Sequence, residues 1–416
     1  MNGRASHKSV LYLRVDLGGQ QLTAGGSVAH TLGVIKGFMS NNWSVICVSS
    51  ALFEPLRLLS LPAFHQLRMP RLFKPLRWKI NSLLSNIFFT IRIIRLCSGK
   101  HITHVYQRHA PFCLIGVLVA WWLRVPLTLE YNGSEVWMAR HWQTGSYFSL
   151  QWLLRFFEDR CLRWATHIVV VSNASYQQLV QTGLCTDKLI LKANGVDTDQ
   201  LDPSKLVGER ERIRQQYAYQ ERFLFGFVGT FSPWHGINQL AAMIPAIVAR
   251  EPKAAFLLIG DGELHAWLCK QLLLAGISDD VVTCTGRVPQ HTAHQYLAAC
   301  DAFLLPTQPN PDGTPFFGSP IKLFEYMSMA KPIIASDITQ VADILSSIGI
   351  LVDPSDTQAF VDAACQLMHE DTQTRETRGA LGRQYVVMHG TWHEHVKAII
   401  SATQQAEYAS VDERAV

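Results

Sequence analysis

Twelve short apolar runs alternate with longer stretches of helical periodicity along almost the whole chain. They are Val10–Val15, Ser44–Ser49, His104–Gln107, Leu127–Tyr131, Ile168–Ser172, Leu189–Ala193, Leu224–Thr230, Ala255–Gly260, Val281–Gly286, Ala302–Pro306, Pro332–Ser336 and Gly349–Val352. Within them Leu, Ile and Val follow one another without polar alternation, the pattern of parallel strands covered on both faces. Strand–helix–strand order of this kind winds into doubly wound sheets. Twelve strands are too many for one compact sheet, and 416 residues are too many for one core. The expected architecture is α/β with two Rossmann-like domains. The turn-rich segment Asn194–Lys205 (NGVDTDQLDPSK) marks the boundary. This predicts an N-terminal domain over residues 1–200 and a C-terminal domain over 201–384. Ala380–Ala402 reads as helical, with a kink at His389-Gly390-Thr391-Trp392, and residues 385–416 are expected to cross back to the first domain.

Composition narrows the function classes. Nine cysteines are scattered without a C-x-x-C pair, which argues against a disulfide framework or a zinc site and fits a reducing compartment. Val10–Val15 contains Arg14 and is too short for a secretory core. The longest uncharged apolar run, Cys113–Leu123, is about half a bilayer crossing and reads as a buried helix. The expected location is cytoplasmic, with peripheral contact on the inner face of the plasma membrane as an option. Charge is uneven: residues 1–200 hold 21 Lys and Arg against 9 Asp and Glu, and residues 201–416 hold 16 against 24. No carboxylate occurs between Glu54 and Glu130, an interval with eleven basic residues interleaved with Leu, Phe, Trp and Ile. Residues 68–100, with Arg68, Arg71, Lys74, Arg77, Lys79, Arg92 and Arg95, form the candidate surface for anionic lipid. A merely solvated basic face is the alternative. None of the usual nucleic-acid reader motifs occurs, so no nucleic-acid partner is expected.

The chemistry concentrates in Gly318–Ser336 (GSPIKLFEYMSMAKPIIAS). A glycine–proline turn opens a helix on which Lys322 and Glu325 share a face. The first N–H groups of a helix lack helical acceptors and suit an anion. A diphosphate beside a hydroxylated sugar fits that arrangement, which is the shape of a nucleotide-sugar. Gly25 and Gly26 follow the first strand, where glycine admits close approach of a phosphate or sugar. Arg108 and His109 end one strand, and Glu130 and Asn132 end the next, where ligands of such sheets sit. Each of these also has an ordinary reading, as turn, helix-start or packing residues.

Several segments then fall in a familiar order: Ala24-Gly25-Gly26 to His30, Val171-Ser172-Asn173, Leu191–Asp197, Phe227–Phe231 with Trp234-His235-Gly236, Leu258–Gly262, Thr285–Val288 and Pro320–Ser336. In these motifs the chain resembles the retaining glycosyltransferases of family 4. The resemblance implies the GT-B fold: two facing Rossmann-like domains, an interdomain cleft and a C-terminal helix crossing back. It implies transfer of a sugar from a nucleoside-diphosphate sugar to a hydroxyl acceptor, with no metal and no cofactor. The basic first half suggests that the acceptor, a saccharide or lipid-linked saccharide, sits at a membrane surface, as in bacterial surface polysaccharide synthesis. Carried over residue by residue, the donor side takes Gly26, Gly229, Thr230, His235, Pro320, Ile321, Lys322 and Glu325, with Glu325 on the ribose hydroxyls. The acceptor side takes Gly25, His30, Glu130 and Asn132, and Arg108, His109, Lys322 and Glu325 are the catalytic candidates.

Two departures matter. Phe317 stands where the family has the first of two glutamates, leaving groups near Asp312–Thr314 to replace it. Thr230 and His235 stand where many relatives carry Arg and Lys. Lys322 is left as the main cation, with His235 if protonated and helix N-terminal amides. Asp197-Thr198-Asp199 imitates a metal–diphosphate motif inside the linker. His101/His104, His291/His294 and His393/His395 read as surface histidines. A nucleotide-sugar epimerase of the same fold and a non-catalytic membrane-associated scaffold are the alternatives.

Overall fold

The structure is a computed structural model and describes residues 8–15, 25–50, 63–68, 78–142 and 151–415, with main chain alone over 78–83 and 406–415. Two all-parallel sheets organise them. The first contains β1 (Ser9–Arg14), β2 (Ser44–Ser49), β3 (Ala63–Gln66), β4 (His104–Arg108), β5 (Leu127–Tyr131), β6 (His167–Val170) and β7 (Leu189–Leu191), in the order β3-β2-β1-β4-β5-β6-β7. The second contains β8 (Phe223–Val228), β9 (Ala254–Ile259), β10 (Val282–Cys284), β11 (Ala302–Leu305), β12 (Ile333–Ser336) and β13 (Ile350–Val352), in the order β10-β9-β8-β11-β12-β13. All twelve apolar runs are strands, their ends within two residues of those expected. The strand without a sequence signal is β3. Its AFHQ is half-buried throughout and pairs only with β2, so an edge position demands little apolar character.

The chain divides into two compact units, one of residues 1–23, 31–193 and 392–416 and the other of residues 24–30 and 194–391. In the first, Leu11, Leu13, Val105, Leu129, Ile168 and Val170 build the sheet's core. The last helix, Trp392–Ala415, belongs to this unit. It seats Trp392 over Gly33, where a Cβ would lie 2.1 Å from the indole, and Val396 over Gly37, where a Cβ would lie 2.5 Å away. Only glycine leaves room for that approach. In the second unit Phe225, Phe227, Phe256, Leu258, Leu304 and Ile334 fill the corresponding core.

The helix Ile115–Leu123 corrects the reading of Cys113–Leu123 as simply buried. Its first residues are covered, but Trp121 and Trp122 stand 76% and 60% exposed. Among the described residues no helix is long and apolar enough to cross a membrane. In each sheet the strand order reverses beside its first strand, between β1 and β4 and between β8 and β11, and ligands of such sheets bind beyond the carboxyl ends at that point.

Candidate active site

In the second unit three glycines with positive φ shape the carboxyl ends of the strands. Gly229 follows β8 with φ 152°, Gly260 follows β9 with φ 138°, and Gly236 opens the helix Ile237–Arg250 with φ 76°. A Cβ on Gly260 would meet the Gly229 carbonyl oxygen at 1.9 Å, and one on Gly236 the Pro306 oxygen at 1.9 Å. The backbone is therefore close-packed at this edge, and the N–H groups of Gly229, Gly260 and Gly236 donate to the carbonyls of Ile259, Gly286 and Pro233. The helix Ile321–Ser328 reaches the same edge. Its Tyr326 hydroxyl accepts from the Val228 N–H at 2.8 Å, and the Tyr326 ring stacks on Phe303 at 4.3 Å. The turn before this helix is held by Asn194, whose side-chain amide donates to the Ser319 carbonyl at 2.7 Å. Pro320 caps the helix, and Ala330 at φ 53° followed by Pro332 ends it.

This placement puts the Lys322 ammonium at the end of β8. A Cβ on Gly229 would lie 2.7 Å from Nζ, and Nζ stands 4.3 Å above the Phe227 ring. Lys322 is buried, and Nζ has no hydrogen-bond acceptor among the described residues. Burial brings its pKa down to about 7, opposed by the nearby Glu325 carboxylate. Glu325 is pushed up to about 7 by burial, with Lys322 opposing. Each opposes the other's shift electrostatically, without a hydrogen bond between them among the described residues.

His235 is a correction. Its Nδ1 donates to the Thr230 carbonyl at 2.6 Å, and burial together with Lys322 pushes its pKa down to about 3. It is neutral near pH 7 and adds no second cation; its free Nε2 is an acceptor. Thr230 itself is exposed, and Phe317 is buried. Asp312, near the position considered as its replacement, is exposed, and its carboxylate accepts from Thr314 Oγ1 at 2.7 Å. Gly25 and Gly26 open the helix Gly26–Ser40; a Cβ on Gly26 would lie 3.8 Å from Ile321, and His30 is buried one turn on.

In the first unit Glu130 is fully buried. Its carboxylate accepts from the Tyr106 hydroxyl at 3.0 Å, from Arg108 at 3.3 Å and from the Asn132 amide. Its oxygens are committed inside the protein, and the part-exposed guanidinium they steady is that of Arg108, at the end of β4. His109 is buried beside Tyr131, and burial pushes its pKa down to about 4, so it is neutral near pH 7.

Two residues outside the sequence-based site belong to these clusters. Arg14, 6% exposed at the end of β1, reaches Thr31 Oγ1 at 3.5 Å. A lone arginine closing an apolar strand was its only signal. His294 was expected at the surface but is 6% exposed, with Nε2 4.0 Å from Glu325 Oε1. His104 and His395 are likewise buried, not superficial. His104 meets Thr128 Oγ1 at 2.8 Å and His395 the Ala193 carbonyl at 2.7 Å. Asp197 accepts from the Gln200 N–H at 3.1 Å, as a turn residue of the linker does.

Two parallel sheets, each reversing its strand order beside a ligand-ready edge, place the protein among the GT-B glycosyltransferase folds. Residues 24–200 match the Glycosyltransferase Family 4 description and residues 222–370 match Glycosyl transferases group 1, and the chain belongs to this family. A GDP-mannose-dependent alpha-(1-6)-phosphatidylinositol monomannoside mannosyltransferase of Mycobacterium tuberculosis is 27% identical over 200 residues, which is 48% of this chain and 51% of that protein. The alpha-D-kanosaminyltransferase of Streptomyces kanamyceticus is 21% identical over 256 residues, 61% of this chain and 64% of that one. The matches to the first of these curated relatives thus span about half their length. Among solved structures, Anabaena HepE in complex with UDP-glucose superposes with a TM-score of 0.71 at 18% identity, covering 97% of this chain and 100% of that one. WaaG, a glycosyltransferase involved in lipopolysaccharide biosynthesis, does so with 0.66 at 11% identity, over 95% and 98%. These two establish the shared fold.

Proposed function

We propose that the protein is an enzyme that moves a glycosyl unit from a nucleoside-diphosphate sugar to a hydroxyl of a saccharide or lipid-linked saccharide, with retained anomeric configuration. The observation that carries this reading is the buried Lys322 ammonium, without a hydrogen-bond acceptor among the described residues, at the end of β8. A buried cation in that condition is unfavourable until an anion arrives. A diphosphate supplies the anion, and Glu325 one turn further suits the adjoining ribose hydroxyls. In the transfer the bond from the anomeric carbon to the diphosphate oxygen breaks, and its electron pair leaves with the diphosphate. The acceptor oxygen bonds to that carbon on the same face, and its proton passes to a departing phosphate oxygen. Lys322 and the opening amides of Ile321–Ser328 and Ile237–Arg250 stabilise the departing charge without a metal or cofactor. Gly26, Gly229, Thr230, Pro320 and Ile321 shape the donor side, with neutral His235 accepting a hydrogen bond. Gly25, His30 and Asn132 serve the acceptor, and Glu130 acts through Arg108, which orients the reacting groups together with His109.

A thermal-shift series with UDP, GDP, ADP and their sugars tests the donor assignment, because a ligand of the native form raises the melting temperature. GDP-mannose is the first choice, given the named donor of the mycobacterial relative. One nucleotide series should shift the transition, and Glu325→Gln should weaken that donor by about tenfold through one lost charged hydrogen bond. Absence of any shift would remove the donor site. Isomerised donor in a reaction without acceptor would replace the transferase by an epimerase.

A membrane-borne acceptor in surface polysaccharide assembly is supported by the first unit's exposed face. Of the basic segment 68–100, residues 69–77 lie outside the described residues, while Arg68, Arg92, Arg95 and Lys100 are exposed. The helix Gln151–Trp164 adds Trp152 and Trp164, 71% and 54% exposed, and its Arg160 guanidinium lies 5.0 Å from the Phe156 ring centroid and 5.8 Å from that of Trp164. Trp121, Trp122 and Trp164 line one groove of about 1090 Å³. Tryptophan and arginine together suit an anionic bilayer interface. Changing Trp121, Trp122 and Trp164 to Ser should lower co-sedimentation with phosphatidylglycerol vesicles several-fold. Replacing Arg71, Lys74, Arg77 and Lys79 by Ser should lower the bound fraction at low salt and flatten its dependence on salt. Unchanged bound fractions in both variants would leave the acceptor in solution.

A further inference from the structure

We infer that His265, Cys269 and Cys284 form a binding site for a thiophilic metal ion, zinc in the first instance. His265 and Cys269 stand one turn apart on the helix His265–Leu274, and Cys284 ends β10, the edge strand beside it. Their ligand atoms all lie within 4.8 Å of one another, with Cys269 Sγ 3.8 Å from His265 Nε2. A tetrahedral zinc ion, with bonds of about 2.3 Å to sulfur and about 2.0 Å to nitrogen, holds its ligand atoms roughly 3.5–3.8 Å apart. The helix pair already has that spacing, and the set closes with movements of about 1 Å or less. The other ring nitrogen, Nδ1, faces Asp261 Oδ1 at 3.8 Å. That is the carboxylate–imidazole arrangement that fixes the orientation of a metal-bound histidine. All three ligands are partly exposed, which leaves a path for the ion and a fourth position for water. Two thiolates and an imidazole select a soft or borderline cation over magnesium or manganese. Binding releases the two thiol protons to solvent.

The site stands apart from the diphosphate chemistry but is mechanically joined to β8's end. The Phe231 N–H donates to the Asp261 carbonyl at 3.1 Å and the Leu264 N–H to the Phe231 carbonyl at 3.0 Å. The Gly260 N–H donates to the Gly286 carbonyl at 3.1 Å, and the His265 and Phe231 rings lie 5.4 Å apart. An ion joining the start of the helix to the end of β10 would clamp residues 260–264 against Gly229–Phe231. This consequence rests on the donor reading above; the metal site does not.

The test is titration of the full-length chain, reduced and freed of metal, with Co(II) and then Zn(II). One equivalent of Co(II) should give a thiolate-to-cobalt band in the near ultraviolet and the strong visible absorption of a tetrahedral site, both erased by Zn(II). Zinc should raise the melting temperature. Cys269→Ser and Cys284→Ser should each weaken zinc by more than about 100-fold. Asp261→Asn should weaken it by about 10–100-fold while keeping one ion per chain. A wild-type titration without a thiolate band, a band that survives both cysteine substitutions, or a Cys269–Cys284 disulfide whose reduction restores no metal uptake would overturn the site. No nucleotide enters this assay, so its failure is distinguishable from failure of the donor assignment.

Discussion

Lys322→Met is expected to lower turnover by about 10²–10³, the loss typical of removing one preorganised group that stabilises transition-state charge, while the melting temperature stays level or rises. The two effects have one cause. In the resting protein the ammonium is buried over the Phe227 ring with no hydrogen-bond acceptor among the described residues, so it opposes folding. Methionine fills a similar volume without a charge. In the proposed reaction the same ammonium would face the diphosphate as negative charge grows on it. His235 is neutral and cannot take over. Steady-state rates at saturating donor, beside melting curves, check both halves. A variant that keeps most of its turnover would show that the diphosphate is neutralised elsewhere.

Donor affinity is expected to fall by about tenfold for each pH unit above about 7, until the pH reaches the pKa that Lys322 has in the complex. Burial holds the free lysine at about 7, so above that value it is mostly uncharged. A bound diphosphate favours the charged form and raises its pKa, and binding must then draw a proton from solution. Calorimetry in buffers of different ionisation enthalpy should register uptake approaching one proton per donor at about pH 8, and none in Lys322→Met. Equal uptake in the variant would place the titrating group elsewhere. Stability follows the same pair with opposite signs. The folded lysine lies below its unfolded value of 10.5, so the unfolded chain holds more protons between about 7 and 10.5, and stability rises with pH across that window. Glu325 is raised from 4.5 to about 7, so the folded chain holds more protons between those values, and stability falls as pH rises through them. The pair's contribution to stability is lowest near pH 7.

Strands announced themselves because a parallel sheet covered on both faces needs unbroken apolar residues, as in Phe223–Val228 and Ala254–Ile259. The half-buried edge strand β3 needs none and stayed silent. Lys322 and Glu325 were legible because glycine, proline and helical spacing fix their local frame. The charge states were not legible. Nothing in HGI announces that His235 is neutral, nor in HQY that His294 lies beside Glu325, because burial and partners come from segments distant in sequence. Glu130 illustrates the limit best: a carboxylate at a strand end reads as a ligand group, yet three side chains folded around it engage it inside the protein. The sequence by itself determined the two parallel sheets and the loops at their carboxyl ends, since periodicity and turn chemistry are local properties. Only the tertiary structure decided which of the polar groups there carry charge, hold a neighbour or remain open to a ligand, since desolvation depends on everything packed around a group.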